Sequence, residues 1–259
     1  METIRNGSKG ESVKTLQSLL GLVADGVFGL KTEESVKKYQ REHGLIADGV
    51  VGAKTWALLL AKDGITIVDG HINTHVTRLS NRPIKYIAIH YTAGGTSKKG
   101  TALATRNVFL QRNASADFVV DDETIVQINP DLKNYYCWSV GDKKNIYSGG
   151  GSLYGRGTNQ NTISIEICSN LKSGTTAAVP NHSGWYFTAK SLDNALKLVR
   201  YLMKKFNVPK SNVVRHYDIS GKLCPGLVGW NDAHVYDTRG NSTNQRNNSN
   251  EWMAFWSKI

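Results

Sequence analysis

The 259-residue chain is informative first for what it has little of. No stretch approaches the roughly 18 to 20 uninterrupted apolar residues of a membrane span, and the opening METIRNGSKGESVKTLQ lacks the apolar core of a secretory signal. The expectation is a protein made in the cytoplasm without an export signal and with no membrane partner. Cysteine is scarce: Cys137, Cys168 and Cys224 are three, an odd number spread widely. That excludes a disulfide framework and a four-cysteine zinc module, and leaves at least one thiol unpaired. Acidic residues are in deficit, 21 against 32 Lys and Arg, for a formal charge of +11. The excess is uneven: residues 1–62 hold 9 basic and 7 acidic residues, and the remainder 23 and 14. A basic surface suits a polyanion or simply aids solubility. No recognition-helix motif or basic region accompanies it, so nucleic acid is not an expected partner.

What is present begins with a repeat. ADGVFGLKT (Ala24 to Thr32) returns as ADGVVGAKT (Ala47 to Thr55), each with an Asp-Gly turn and a Lys-Thr pair leading into an apolar-periodic segment. Val13, Leu16, Leu19 and Leu20 precede the first turn, Val36 and Tyr39 follow it, and Trp56, Leu59 and Leu60 follow the second, which predicts three helices in about sixty residues. The arrangement resembles the peptidoglycan-binding domain found at either end of bacterial and phage wall hydrolases. The resemblance covers most of residues 5–62 and implies a targeting module without chemistry of its own.

The expected organisation is therefore a three-helix domain over 1–62, a linker over 63–82 and a larger domain over 83–259. In the last, IKYIAIHYT (Ile84 to Thr92) predicts a strand, DFVVDD with TIVQI a hairpin, TISIEIC a strand, and NVVRHYDI a short strand or strand end. Ser191 to Phe206 predicts a helix with Leu192, Ala195, Leu196, Val199, Leu202 and Met203 on one face. This alternation predicts an α/β fold, a mixed central sheet flanked by helices. The glycine-rich Tyr147 to Gly157 and the Asn-rich Thr238 to Trp252 read as surface loops that rim a cleft or are tolerated insertions.

Catalytic zinc takes three ligands from His, Cys and carboxylate and leaves the fourth position to water. His216 and Cys224, in RHYDISGKLCPG, offer an imidazole and a thiolate on one short loop; His90, ending the most apolar strand, is the third candidate. A histidine after a strand is also often a satisfied structural residue, so the residues alone leave that alternative open. Glu166 inside an apolar strand is a second oddity, because burying an unpaired charge is expensive.

IAIHYTA, SADFVVDD, NTISIEIC and RHYDISGKLCPG occur in the order and spacing of the zinc-dependent N-acetylmuramoyl-L-alanine amidases of the T7-lysozyme and peptidoglycan-recognition-protein type. Within that family the chain is similar to phage endolysins. The resemblance implies Zn2+ held by His90, His216 and Cys224, with Glu166 as general base and Lys222 stabilising the oxyanion. It implies peptidoglycan as partner and the bacterial wall as place of action, and anionic wall polymers become a further candidate partner for the basic surface. A non-catalytic peptidoglycan-recognition protein on the same fold is the alternative. The chain departs from the family where Ala116 stands at a tyrosine position and where WSVG (Trp138 to Gly141) replaces a WHxG run, which favours Glu166 with Lys222 over a tyrosine-assisted mechanism. Cys137 and Cys168 match no ligand and are expected to be buried and inert. Trp138 and Tyr91 are candidates for a substrate groove or for core packing.

Overall fold

Two turns of repeated sequence organise the first part of the chain. In the computed structural model, which describes residues 2–42, 45–60, 65–94, 101–141, 151–175, 179–237, 241–246 and 248–259, the chain divides into two units, Met1–Thr66 and Ile67–Ile259. The boundary expected at residue 62 lies outside the described residues, as do His43 and the start of the glycine-rich stretch, Tyr147 to Gly150. No described helix is long and apolar enough to cross a membrane.

The first unit has helices α1 (Glu11–Leu19), α2 (Leu30–Glu42) and α3 (Ala53–Leu60). Gly26 and Gly49 take φ of +77° and +75° in the two turns, a region open to glycine without penalty. The repeat extends upstream to a buried glutamine. Gln17 Nε2 reaches Asp25 Oδ1 (2.7 Å), the Val27 carbonyl (3.0 Å) and Thr32 Oγ1 (3.3 Å), while Gln17 Oε1 accepts from Gly26 N–H (2.9 Å). Gln40 makes the same set with Asp48 (2.9 Å), Val50 (3.0 Å), Thr55 (3.2 Å) and Gly49 (2.9 Å). Each glutamine satisfies turn groups that would otherwise be buried unpaired. Val13, Leu16, Phe28, Val36, Val51 and Trp56 form the core between the helices.

The second unit is built on a six-stranded sheet in the order β1-β5-β4-β7-β3-β10. Its strands are β1 (Ile67–Asp69), β3 (Tyr86–Tyr91), β4 (Phe118–Val120), β5 (Ile125–Gln127), β7 (Thr162–Ile167) and β10 (Val213–Arg215). β4, β7, β3 and β10 run parallel, and β5 turns back antiparallel to β4. Three small pairs surround the sheet: β2 (Val76–Arg78) with β6 (Tyr135–Cys137), β8 (Asn170–Leu171) with β9 (Trp185–Tyr186), and β11 (His234–Tyr236) with β12 (Ser242–Arg246).

Helix α4 (Thr101–Phe109) packs Ala102 and Phe109 against Val119, Val126 and Ile128 of the sheet. Helix α5 (Ala189–Phe206) lies along β7 and β4. Thr188 Oγ1 caps its first turn by accepting from Ser191 N–H (3.1 Å), and Asn207 ends it in the left-handed region. Helices α6 (His216–Ser220) and α7 (Asn250–Ser257) complete the unit.

The structure differs from the sequence reading in two places. Residues 67–69 and 76–78, inside the stretch expected to link the domains, are strands β1 and β2 of the second unit; at three residues each they are too short for a period to show. No helix was expected between Thr92 and Asp117, yet α4 stands there. Its sequence, TALATRNVF, is rich in residues of middling helix propensity and becomes helical through its packing on β4 and β5.

Just before β4 lies an ion pair that the sequence does not announce. Arg82 and Asp117, both 0% exposed, meet at 2.8 Å. The Arg82 guanidinium also donates to the carbonyls of Gln160 (3.1 Å), Tyr135 (3.1 Å), Asn159 (3.2 Å) and Thr162. Asp117 accepts from Ser164 N–H (2.8 Å) and Asn129 Nδ2 (2.6 Å). Every donor is used, so breaking the pair leaves an uncompensated buried charge. Arg82→Met is expected to lower stability by about 3 to 5 kcal/mol, a fall in Tm of roughly 6 to 20 °C for a unit of this size. Thermal unfolding followed by circular dichroism checks it; an unchanged Tm would mean that the pair is solvated.

Candidate metal centre

His90 is next to last in β3, the strand held between β7 and β10. Register pairs it with Glu166 of β7, so both side chains rise from the same face of the sheet. His216 opens α6 immediately after β10, whereas the sequence reading has it on a loop. Arg215 fixes this entry: its backbone N–H donates to Asp218 Oδ2 (2.8 Å), and its guanidinium meets Asp218 Oδ1 (2.6 Å), the Trp230 carbonyl (3.0 Å) and Ser249 Oγ (2.9 Å). Gly221, at φ +77°, ends α6 and reverses the chain. Tyr217 N–H then donates to the Cys224 carbonyl (2.9 Å), returning the cysteine beside the histidine eight residues before it.

The structure thereby brings together His90, His216 and Cys224, all buried, with ligand atoms within 4.8 Å of one another. Cys224 Sγ lies 3.7 Å from His90 Nδ1, and the two imidazole centroids are 4.5 Å apart. His216 Nε2 faces the Val140 carbonyl at 3.0 Å, so that nitrogen carries the proton and Nδ1 is left bare. His216 Nδ1 and His90 Nε2 are buried with no hydrogen-bond partner, as is Glu166 Oε2. An unsatisfied buried polar atom costs about 1 to 3 kcal/mol, a cost that a bound ion would relieve. Ligands on one tetrahedral ion stand roughly 3.5 Å apart, close to the spacing already present. Two imidazoles and a thiol are a donor set suited to zinc and unlike the all-oxygen shells of calcium or magnesium.

Burial dominates the electrostatics. It pushes the Cys224 thiol up to about 12, with the Glu166 charge adding to the effect and the Lys222 charge and Tyr91 N–H opposing it. It lowers His216 to about 4 and His90 well below the ordinary histidine value, Lys222 contributing to both. Both imidazoles are thus held neutral, the form that can ligate. Glu166 is pushed up to about 8 by burial, against the pull of Lys222. Its Oε1 stands 3.9 Å from His90 Nδ1, beyond hydrogen-bonding distance.

These residues open into a cleft of about 810 Å³. Glu166 and Lys222 line it with His90 and Cys224, and one wall is formed by Thr101, Ala104, Thr105 and Val108 of α4 with Arg112 beyond it. Trp138 is 41% exposed there, its Nε1 donating to Thr77 Oγ1 (2.9 Å). Tyr91 also borders the cleft but is buried, edge-on to Trp185. Sequence reasoning missed the α4 wall and Arg112, for which no local signal exists. Cys137 and Cys168 are buried and do not belong to the His-His-Cys group, their thiols pushed up by burial.

The family model of N-acetylmuramoyl-L-alanine amidase matches residues 80–227, and that of a peptidoglycan binding domain matches residues 9–59. N-acetylmuramoyl-L-alanine amidase CwlH of Bacillus subtilis (strain 168) is 35% identical over 150 residues, 56% of this chain and 50% of that protein. N-acetylmuramoyl-L-alanine amidase CwlL of Bacillus licheniformis is 31% identical over 149 residues, 55% of this chain and 36% of that protein. Among solved structures, a mutant endolysin from Bacillus subtilis is 29% identical, covering 62% of this chain and 90% of its own, with a TM-score of 0.43. The chain spans half or less of the length of these two curated relatives.

Proposed function

From the premise that the chain belongs to the N-acetylmuramoyl-L-alanine amidase family, we propose that it is a zinc-dependent peptidoglycan hydrolase of the endolysin kind. It cleaves the amide between the lactyl group of N-acetylmuramic acid and L-alanine of the stem peptide, acting at the bacterial wall. Its first unit, matched by a peptidoglycan-binding family model, holds the polymer. The observation that carries the reading is the buried cluster of His90, His216 and Cys224, with His90 Nε2 and His216 Nδ1 lacking partners, beside a cleft lined by His90, Cys224 and Glu166.

His90, His216 and Cys224 would hold the zinc, with the Val140 carbonyl accepting from His216 Nε2 and so fixing the ring's orientation. When bound, the ion supplies Lewis-acid polarisation of the scissile carbonyl and acidifies water toward neutrality. Glu166, in its carboxylate form, takes the proton from the attacking water and delivers it to the nitrogen as the C–N bond breaks, so one water yields a lactyl carboxylate and a free L-alanine amine. Lys222 stands exposed at the same cleft and places its cation where negative charge gathers on the carbonyl oxygen, an effect worth about 2 to 4 kcal/mol.

Hydrolysis of purified peptidoglycan tests the reading. The zinc-loaded protein is expected to expose new L-alanine amino groups without new reducing sugars, and chelation is expected to stop it. Tight wall binding with no release by the loaded protein would instead leave a recognition protein.

Metal uptake has its own signature. At pH 6 the metal-free Cys224 and Glu166 are both protonated, their pKa values lying near 12 and 8, while His216, near 4, is neutral. Binding a dication requires the thiolate and favours the carboxylate, so about two protons leave and affinity rises with pH. Calorimetry in buffers of different ionisation enthalpy should count about two for the native protein and about one for Glu166→Gln. Equal counts would remove Glu166 from the metal's field.

A further inference from the structure

The Val140 carbonyl that faces His216 is itself held from further out. Asn159 Oδ1 accepts from the N–H groups of both Ser139 (3.0 Å) and Val140 (2.9 Å). One amide oxygen thus holds two successive peptide units, and the Val140 carbonyl that follows them is the group 3.0 Å from His216 Nε2. The Val140 side chain is buried in a cluster with Ala88 of β3, Val214 of β10 and Ile219 of α6. The side chain sets where Val140 sits, and Asn159 sets which way its backbone faces. Asn159 in turn has a fixed base. Its own carbonyl accepts from Arg82 Nη2 (3.2 Å) and that of Gln160 from Arg82 Nε (3.1 Å), the guanidinium whose buried partner is Asp117. Two residues on, Asn161 Oδ1 accepts from Thr158 N–H (2.9 Å), and the Asn161 carbonyl accepts from Lys85 N–H (2.8 Å) just before β3. A continuous series of hydrogen bonds runs from Arg82 through Asn159 and Val140 to the imidazole. The helix that bears His216 is held by other contacts: Leu153 N–H donates to the Asp218 carbonyl (2.8 Å), and Arg215 grips the Asp218 carboxylate (2.6 Å). Loss of the Asn159 side chain would therefore free the carbonyl and leave the helix in place.

We infer that Asn159 is a positioning residue for the metal ligand His216, acting through the Val140 carbonyl. The inference rests on the metal-centre reading and extends it outward by two links. An imidazole free to turn loses that freedom when it ligates an ion, and the loss weakens binding; a carbonyl fixed opposite Nε2 orients the ring beforehand. The same contact keeps the proton on Nε2 and the lone pair on Nδ1, the ring atom that has no partner. Without the Asn159 oxygen, two backbone N–H groups lose their acceptor, the carbonyl is no longer held at its angle, and the ring is less well prepared for the ion.

Zinc affinity of the full chain, read by competition with a chromophoric chelator, tests this without recourse to activity. Asn159→Ala is expected to bind zinc about ten-fold more weakly, the lower end of what loss of a ligand's outer partner costs. Asn159→Asp keeps an oxygen for the two N–H groups and should restore most of the affinity. The His216 Nε2 proton gives a second readout. In proton–nitrogen correlation spectra of the metal-free protein it should exchange with solvent faster in Asn159→Ala than in the native chain or in Asn159→Asp. A purely architectural role would lower the melting temperature in chelator and leave both quantities unchanged; that result, or a loss that Asn159→Asp fails to restore, overturns the proposal. If Asn159→Ala does not fold, Asn159→Gln, whose oxygen is displaced by one methylene, takes its place with the same expectations. If the native chain binds no zinc, the metal-centre reading fails and proton exchange still decides the link from Asn159 to His216. Faster exchange in the variant sustains that link, and equal rates refute it.

Discussion

Cys224→Ser is expected to remove bound zinc and, with it, hydrolysis. Serine matches the shape of cysteine but does not ionise near neutral pH, so the ligand set falls to two neutral imidazoles. With an apparent zinc affinity of about 12 kcal/mol distributed over three ligands, losing one weakens binding by about 4 kcal/mol, roughly a thousand-fold. The fold should tolerate the change. Cys224 is 3% exposed, a serine hydroxyl can replace the contacts of its neutral thiol with His90 and the Tyr91 N–H in the metal-free protein, and the Tyr217 N–H bond to its carbonyl does not involve the side chain. Metal content after dialysis, activity on peptidoglycan and wall binding should be measured together. Loss of the first two with wall binding intact is the expected pattern. Stoichiometric zinc with full activity in the variant would move the metal elsewhere.

Glu166→Ala is expected to lower kcat by about 10² to 10⁴-fold while zinc content stays at one per chain. The contrast with Cys224→Ser separates a group that moves protons from one that holds the ion. The same variant should shift the stability of the metal-free protein in a definite direction. The Glu166 pKa is raised from the model-peptide value of 4.5 to about 8, so its protonated form stabilises the fold at low pH. That contribution is lost as pH rises from about 4.5 through 8. Above pH 8 the native protein carries a poorly solvated charge, and Glu166→Ala should be the more stable of the two by up to a few kcal/mol. Denaturant melts at pH 5 and pH 9 in chelator decide it. A variant less stable at both would assign Glu166 a packing role.

Much of this site was legible because its residue types are improbable where they stand. Glu166 is an acid within an apolar strand, and His90 and Cys224 are reactive groups at the edge of apolar runs. The register that brings His90 opposite Glu166 was not legible, because strand neighbours are chosen by topology rather than by distance along the chain. Helix α4 was hidden for a related reason: its packing partners Val119 and Val126 lie downstream, and its own sequence lacks a clear stripe. Arg82 and Asp117 each look like surface residues, and only their convergence in space shows that they are buried together. In the first unit the Asp-Gly turns were plain, whereas Gln17 and Gln40 were ordinary helix residues until the turns folded back onto them.

The way α2 is shared between those turns bears on how this unit can change length. Its start supplies Thr32 to the first network and its later turn supplies Gln40 to the second, so one helix finishes one module and begins the next. The modules overlap like links in a chain, with a pitch of 23 residues from Gln17 to Gln40. Insertion of one full pitch would add a helix together with a turn that already has its glutamine support. An insertion of any other length would strand a turn without its acceptor. Growth of this unit is therefore quantised.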